Sequence, residues 1–458
     1  MGSAGYDMAA IKEPVPEAIE LPLASTEDIW DALLKLIILV GLVALASISI
    51  HAQIFSPVIK TVELHGIDTA LYRPSILWFS LGFLLVVFRT FLWFAYQPHP
   101  PARLDDAPRM TVVIPAYNEG AMVAKSIDSI AAAHYDPRQL EIIVVDDGST
   151  DDTWEHIQSA AARHGDRVQT LRLERNCGKR VALATGFRRG TGDIFVTVDS
   201  DSVVTPQALL ALAGPFRSER VGVVAGKVQV YNRREGIIPR MLHVRFTLSF
   251  DFLRAYQSTY GTVYCSPGAL SAYRASVVLK VLDKWLGQTF LGVRATIGED
   301  RALTNDIMQQ GYDSVYQKTA QVFTVVPTHY KKLCRMLLRW NRSYIREEVR
   351  FATIVWKRPP IARTIALFDQ VIMNLRFPIM SASMLLLAVT VFYHPLVLPR
   401  VLVAIGLISF IYSLYYLRSE RSLDILYGVL FEYFSFFTMF WIFPWAALTV
   451  RAKGWLTR

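Results

Sequence analysis

Read for hydrophobic and polar positions alone, the chain changes character three times. Residues 32–50 and 75–96 are apolar stretches whose only charges are Lys35 and Arg89. Each comes near the roughly 20 residues an α-helix needs to cross hydrocarbon. From Arg109 to about Ala320 the apolar runs shorten, at 111–114, 142–145, 170–173, 194–198 and 221–225, with helix-like stretches between them. Short β-branched runs bounded by turn residues read as buried strands. Strands alternating with helices predict an α/β domain with a mostly parallel, doubly wound sheet, whose ligands bind at the strands' carboxyl ends. Long apolar segments return at about 379–394, 400–417 and 425–450. The expected order is an N-terminal cytosolic segment (1–31), a transmembrane hairpin (32–96), a cytosolic α/β domain (97–328), a basic amphipathic interface segment (329–378) and a C-terminal transmembrane region (379–458).

Composition supports membrane segments: 52 % of residues are hydrophobic and the mean hydropathy is +0.30. The net charge of +9 sits largely beside apolar runs, which fits an inner membrane face or anionic substrates better than nucleic acid. Residues 1–30 show no basic segment leading into a cleavable hydrophobic core. Lys35 opens the first span and Arg89 closes the second, so both can snorkel to one face, placing the N-terminus and residue 97 onward in the cytosol. Cys177, Cys265 and Cys334 have no zinc or disulfide spacing and read as reduced thiols.

Three strand ends carry chemistry. The run 194–198 delivers Asp199 and Asp201, separated by one residue, and strand residues two apart face the same side. Paired carboxylates suit Mg²⁺ or Mn²⁺ carrying a diphosphate. Val144-Val-Asp-Asp-Gly-Ser-Thr-Asp151 ends a second strand, and its Asp147 could accept a hydrogen bond from a nucleobase. Val113-Ile-Pro-Ala-Tyr-Asn-Glu119 ends a third, where Tyr117 could pack on the base. Read singly, Asp-Asp-Gly-Ser is a turn with a helix N-cap, Lys179 a surface charge and Asp300 a helix cap.

Val112-Val-Ile-Pro-Ala-Tyr-Asn-Glu119, Val145-Asp-Asp-Gly-Ser-Thr-Asp151, Asn176-Cys-Gly-Lys-Arg180 and Val198-Asp-Ser-Asp-Ser202 together resemble glycosyltransferase family 2. Gly298-Glu-Asp-Arg301 and Arg339-Trp340 narrow the resemblance to its membrane-embedded processive synthases. Hyaluronan synthases and the rhizobial nodulation chitooligosaccharide synthase are nearer than chitin or cellulose synthases. The resemblance implies a glycosyltransferase-A-like domain between transmembrane helices. It implies a UDP-sugar donor, Mn²⁺ or Mg²⁺, inversion at the anomeric carbon and a growing polysaccharide as acceptor. It further implies a multi-pass cell-membrane protein, with export or accessory subunits as candidate partners. By motif, Ala116, Tyr117, Glu119, Asp147, Lys179 and Asp199 bind the donor, and Asp201 with Asp199 holds the metal. Asp300 is the base with Glu299 beside it, and Cys265, Ser266, Arg339 and Trp340 meet the acceptor.

Some positions depart from these patterns. Val244, Phe246, Leu248, Phe250 and Phe252 alternate as in a strand, whereas the resemblance implies an amphipathic helix, which is the expectation taken. Ser266-Pro-Gly268 stands where hyaluronan synthases read Ser-Gly-Pro, and Met336 holds the place of the glutamine in Gln-x-x-Arg-Trp. Residues 329–363 hold ten Lys/Arg against two acids, and most of these read as an amphipathic segment on the inner leaflet. Two plus three spans leave the C-terminus outside, yet Arg451, Lys453, Arg458 and the Gly454-Trp-Leu-Thr-Arg458 tail argue for inside. Either residues 361–378 cross in part or the last segment bends near Pro444. The product expected is a β-linked polymer from UDP-N-acetylglucosamine. The alternatives are a two-donor hyaluronan synthase also using UDP-glucuronate, a polyprenyl-phosphate transferase and a non-catalytic scaffold.

Overall fold

The computed structural model describes residues 29–51 and 74–452. The expectations for the segment before residue 29 and for the Trp-Leu-Thr-Arg tail lie outside the described residues. Eight strands form one sheet in the order β3-β2-β1-β4-β7-β6-β10-β5. They are β1 (Met110–Ala116), β2 (Leu140–Asp146), β3 (Val168–Arg172), β4 (Ile194–Thr197), β5 (Ser202–Val204), β6 (Val221–Val230), β7 (Ser271–Arg274) and β10 (Asp313–Thr324). A separate hairpin pairs β8 (Thr289–Phe290) with β9 (Val293–Arg294).

All five apolar runs are strands. They are continuous rather than alternating because both faces of the sheet are covered. Val112, Ile114, Ile142 and Val144 pack into one core, while Val113, Ile143 and Val145 pack into a second on the opposite face. β1 to β4 pair in parallel, as do β6 and β10, but β7 runs antiparallel between β4 and β6, and β5 antiparallel to β10. The sheet is therefore mixed but mostly parallel, with β7 and β5 the two reversed strands. Strand β7 is only Ser271-Ala-Tyr-Arg274, with no β-branched residue to announce it.

Residues 240–257 are helical: an α-helix at Ile237–Thr247, a π-helical turn at Leu248–Arg254 and a short α-helix at Ala255–Ser258. The period-two pattern misleads here because the helix is buried on several sides, against the sheet and against the membrane helices. Its apolar residues therefore need not form a single stripe.

The N-terminal apolar stretches form helices Ile29–His51 and Pro74–Ala95. Pro360–Tyr393 and Val397–Glu420 are long and apolar enough to cross a membrane. The first of these runs unbroken through Pro378, so it takes up part of the expected interface segment. The last apolar stretch is a pair of helices, Ile425–Thr438 and Ile442–Leu448, bent by 54°. The bend lies between them, and Pro444 sits in the first turn after it. Both arms stay attached to the α/β side. Asp424 pairs with Arg233, Arg240 donates to Tyr427 Oη at 2.9 Å, Tyr330 donates to the Thr438 carbonyl at 2.6 Å, and Arg342 donates to Thr449 Oγ1 at 2.9 Å.

Two expectations about charge are corrected. Lys35 and Arg89 do not snorkel to a surface; each is 4 % exposed and ion-paired, Lys35 with Asp424 at 2.8 Å and Arg89 with Asp369 at 2.6 Å. The basic segment after residue 329 is not mainly a membrane-surface face either. Lys331, Lys332 and Arg335 are exposed, but the Tyr330–Ile354 helix buries Arg342 and Arg346. Arg346 pairs with Glu347, Arg350 with Asp306, and buried Arg358 with Asp313 at 2.5 Å. The cations face inward because the neighbouring helix and strand present carboxylates, and a carboxylate in such surroundings requires a partner.

Candidate active site

The site gathers at the carboxyl ends of β1, β2 and β4. Ala116 ends β1, and its carbonyl accepts the Asp147 N–H at 2.8 Å, locking the two strand ends together. The Asp147 carboxylate accepts the N–H groups of Cys177 and Gly178 at 2.7 and 2.8 Å. Burial raises its pKa against the effect of those two donors. Each oxygen keeps a lone pair for a further donor. Tyr117 is half-buried at the same edge, and Glu119 Oε1 accepts from Ser200 Oγ at 3.1 Å.

β4 stops at Thr197, so Asp199 and Asp201 sit on the turn after it, closed by the Ser202 N–H on the Asp199 carbonyl at 3.1 Å. This turn, not strand alternation, brings them together. Asp199 accepts from Lys179, whose ammonium is also 3.1 Å from Glu299 Oε1. Burial opposes the charge on Lys179, but Asp199 and Glu299 outweigh it and hold its pKa above the usual lysine range. Asp201 Oδ1 accepts from Ser202 and Thr324 hydroxyls at 3.1 Å each. Burial, then the like charge of Asp199, pushes the Asp201 carboxyl up to about 6.

Two hard carboxylates this close, with the charge of Asp199 raising the cost of ionising Asp201, fit a divalent cation. Among the described residues no group of three or more His, Cys, Asp or Glu could hold a metal. Asp199 and Asp201 would therefore leave most of the coordination sphere to water and diphosphate oxygens, the usual arrangement for Mg²⁺.

The Pro267-Gly268 turn closes over this cluster. A Cβ at Gly268 would stand 2.8 Å from Lys179 Nζ and 3.5 Å from Asp199 Oδ1. Glycine thus leaves the lysine ammonium and Asp199 uncrowded at this turn.

The Glu299–Gln309 helix starts at Gly298, in the left-handed region at φ 71°. A Cβ there would overlap Ser343, so the helix start is pinned against the Tyr330–Ile354 helix. Gly298, not Asp300, is the N-cap; Asp300 sits in the first turn and accepts the Arg301 N–H at 2.7 Å. Burial and the neighbouring Glu299 raise the Asp300 pKa. Glu299 moves the other way: burial is outweighed by Lys179, with Arg339 contributing. Adjacent carboxyls pushed apart in this way separate an ion-paired anchor from a proton acceptor.

Cys265 Sγ lies 3.9 Å from Asp300 Oδ2, and burial with that carboxylate pushes the thiol up to about 11. Ser266 does not face the cleft. It is fully buried, with Oγ 2.6 Å from Thr304 Oγ1, and supports the turn from beneath. Trp340 is 39 % exposed, its ring 6.1 Å from Phe246, and so offers an open aromatic face. Met336 is buried in the core. Sequence reasoning missed Thr324, which holds Asp201, and Arg254, whose Nε donates to the Cys265 carbonyl at 3.0 Å. Neither adjoins a motif; the β10–β5 pairing and the π-helical turn bring them in.

A curled mixed sheet with this carboxylate–lysine cluster at its strand ends defines a glycosyltransferase-A-like domain. The family model for glycosyl transferase family 2 matches residues 111–282. Hyaluronan synthase of Streptococcus pyogenes is 32 % identical over 333 residues, 72 % of this chain and 75 % of that protein. An N-acetylglucosaminyltransferase of Azorhizobium caulinodans is 34 % identical over 241 residues, covering 52 % and 60 %. Among solved structures, a mannosyltransferase of Pyrobaculum calidifontis in complex with GDP-Man and Mn²⁺ superposes with a TM-score of 0.58. It is 22 % identical and covers 78 % of this chain and 96 % of its own. The chain belongs to glycosyl transferase family 2 and is a glycosyltransferase.

Proposed function

We propose that the protein is a membrane-embedded, inverting polysaccharide synthase. It transfers N-acetylglucosamine from the UDP-sugar to a growing β-linked chain that leaves through its own membrane helices. The observation that carries this reading is the convergence of Lys179, Asp199, Glu299 and Asp300 beneath the Pro267-Gly268 turn; Trp340, 39 % exposed, is assigned to the acceptor by its Arg339-Trp340 motif.

In this reading Tyr117 and Asp147 receive the base and Lys179 neutralises the diphosphate. Asp199 and Asp201 would hold Mn²⁺ or Mg²⁺, which when bound offsets charge building on the leaving UDP. Asp300 removes the proton from the acceptor hydroxyl as it attacks the anomeric carbon. A carboxyl with raised pKa is better matched to that transfer than an ordinary aspartate. Glu299 stays ionised and fixes Lys179, while Trp340 stacks on the apolar face of the terminal sugar.

The α/β domain is placed in the cytosol, where UDP-sugars are made, with the flanking helices in the cell membrane. The attachments of the bent helix pair to the α/β side support a re-entrant element that leaves the C-terminus on that side. A two-donor hyaluronan synthase remains the second reading, favoured by identity to the streptococcal enzyme. The assay that decides is purified protein with Mn²⁺ or Mg²⁺, a panel of UDP-sugars and product sizing. Polymer from UDP-N-acetylglucosamine alone is the expected result. Product that forms only with UDP-glucuronate added, and that hyaluronan lyase degrades, reverses the order.

A further inference from the structure

Asp369 lies on the Pro360–Tyr393 helix, away from the reacting groups, and is 2 % exposed. Arg89 Nε and Nη2 donate to it at 2.9 and 2.6 Å. The hydroxyl of Tyr256 is 3.2 Å from both its oxygens, and that of Tyr264 donates at 3.1 Å. The carboxylate thus joins two apolar helices, the short helix Ala255–Ser258 and the loop that runs into Cys265. Rising 1.5 Å per residue, the helix is about 50 Å long, more than the roughly 30 Å of hydrocarbon. Asp369, nine residues from its start, sits near the edge of the membrane facing the α/β domain.

Stability alone does not account for this group. A buried ion pair can be replaced by apolar residues of similar volume at little cost, and an ionisable side chain in such a helix is a candidate for function. What an apolar residue cannot do is accept the Tyr264 hydroxyl. The loop beyond Tyr264 is held at two further points: the Cys265 carbonyl by Arg254 at 3.0 Å, and Ser266 Oγ by Thr304 at 2.6 Å. Thr304 belongs to the helix that carries Asp300, and Cys265 Sγ stands 3.9 Å from Asp300 Oδ2. Tyr264 also packs in an apolar cluster with Ala366 of the same membrane-crossing helix, and the Asp369 hydrogen bond gives that packing a fixed direction.

We propose that Asp369 is a positioning residue for the acceptor side. Through the Tyr264 hydroxyl it fixes the 264–267 loop relative to the transmembrane helices, so that the chain end stays registered against Asp300 between transfers. This rests on the reading of the protein as a chain-elongating transferase. It follows that Asp369 governs how long an acceptor is retained, not donor binding or the chemical step.

The full-length protein in detergent tests this. Tyr264→Phe removes one hydroxyl and leaves the Arg89 pair intact. UDP binding should stay within about twofold, while mean product length falls several-fold and amide exchange in the 264–268 loop accelerates. Arg89→Met/Asp369→Asn keeps an acceptor oxygen without stranding a charge and should retain near wild-type length. Arg89→Met/Asp369→Leu should give short products. Equal lengths from the two double variants, or a Tyr264→Phe protein with unchanged loop exchange, would overturn the proposal. If the wild type makes no polymer from any donor, the synthase reading fails, and loop exchange in the same variants still decides whether Asp369 positions the loop.

Discussion

The proposed donor and acceptor halves of the site are built in opposite ways. On the donor side all the assigned groups but Lys179, which opens a helix, lie at or just beyond the end of a parallel strand: Ala116 on β1, Asp147 after β2, Asp199 and Asp201 after β4. On the acceptor side Asp300 and Trp340 come from two helices and Cys265 from a loop that is held by side chains of three other elements: Arg254 at the Cys265 carbonyl, Thr304 at Ser266 and Asp369 at Tyr264. A strand end is fixed by its ladder, so one local motif suffices to place a ligand. The loop before β7 has a few backbone bonds, such as the Val263 N–H on the Ser314 carbonyl, and otherwise depends on side chains distant in the sequence. The acceptor half should therefore be lost piecemeal, leaving nucleotide binding intact, whereas damage to the donor half should abolish binding itself.

The largest expected separation is at Asp300. Asp300→Asn should reduce transfer by roughly 10²–10⁴-fold, the usual contribution of a positioned base, while calorimetric UDP and metal affinities stay near wild type. Parallel loss of UDP affinity would make Asp300 a structural element of both halves.

Asp201→Asn is the opposite lesion. It should remove metal-dependent donor binding, more severely than Asp199→Asn, because Lys179 already partners Asp199. Full activity in excess chelator would refute the assignment of a metal to this pair.

Trp340→Ala removes the exposed stacking face and should raise the acceptor KM about tenfold, with donor KM unmoved. An unchanged product length distribution would return Trp340 to the ordinary aromatics of the interface.

Two smaller effects test the electrostatics. As the proposed base Asp300 must be deprotonated, and both burial and Glu299 raise its pKa. The acid limb of kcat/KM should thus lie above the ordinary aspartate value near 3.9. Glu299→Gln removes the like charge, so that limb should move to lower pH even where the rate falls; a limb that stays put would assign it to another group. Thr324→Val leaves Asp201 one hydrogen bond short, and the expected loss in metal affinity is roughly 10-fold, the low end for a partner behind a metal ligand.

Sequence pattern alone located every parallel strand of the donor half, because runs such as 111–114 and 142–145 are apolar on both faces and cannot be read as half-exposed. It also placed the apolar helices and the carboxylates at the strand ends. It misread β7, whose four residues carry little apolar signal. It misread the period-two run at 244–252, where burial on several sides erases the helical stripe. It sent Lys35 and Arg89 to a surface because nothing near them in the chain shows Asp424 or Asp369.

What the residues fixed by themselves is whatever depends on neighbours a few positions away: strand runs, turn residues, the Asp199/Asp201 spacing, the length of an apolar helix. The tertiary structure alone decided which charges are paired, that Ser266 turns inward while Cys265 faces Asp300, and that Glu299 and Asp300, adjacent in the chain, differ in proton affinity. Burial and charge pairing are set by what packs against a group from tens to hundreds of residues away, and no local pattern encodes the identity of that partner.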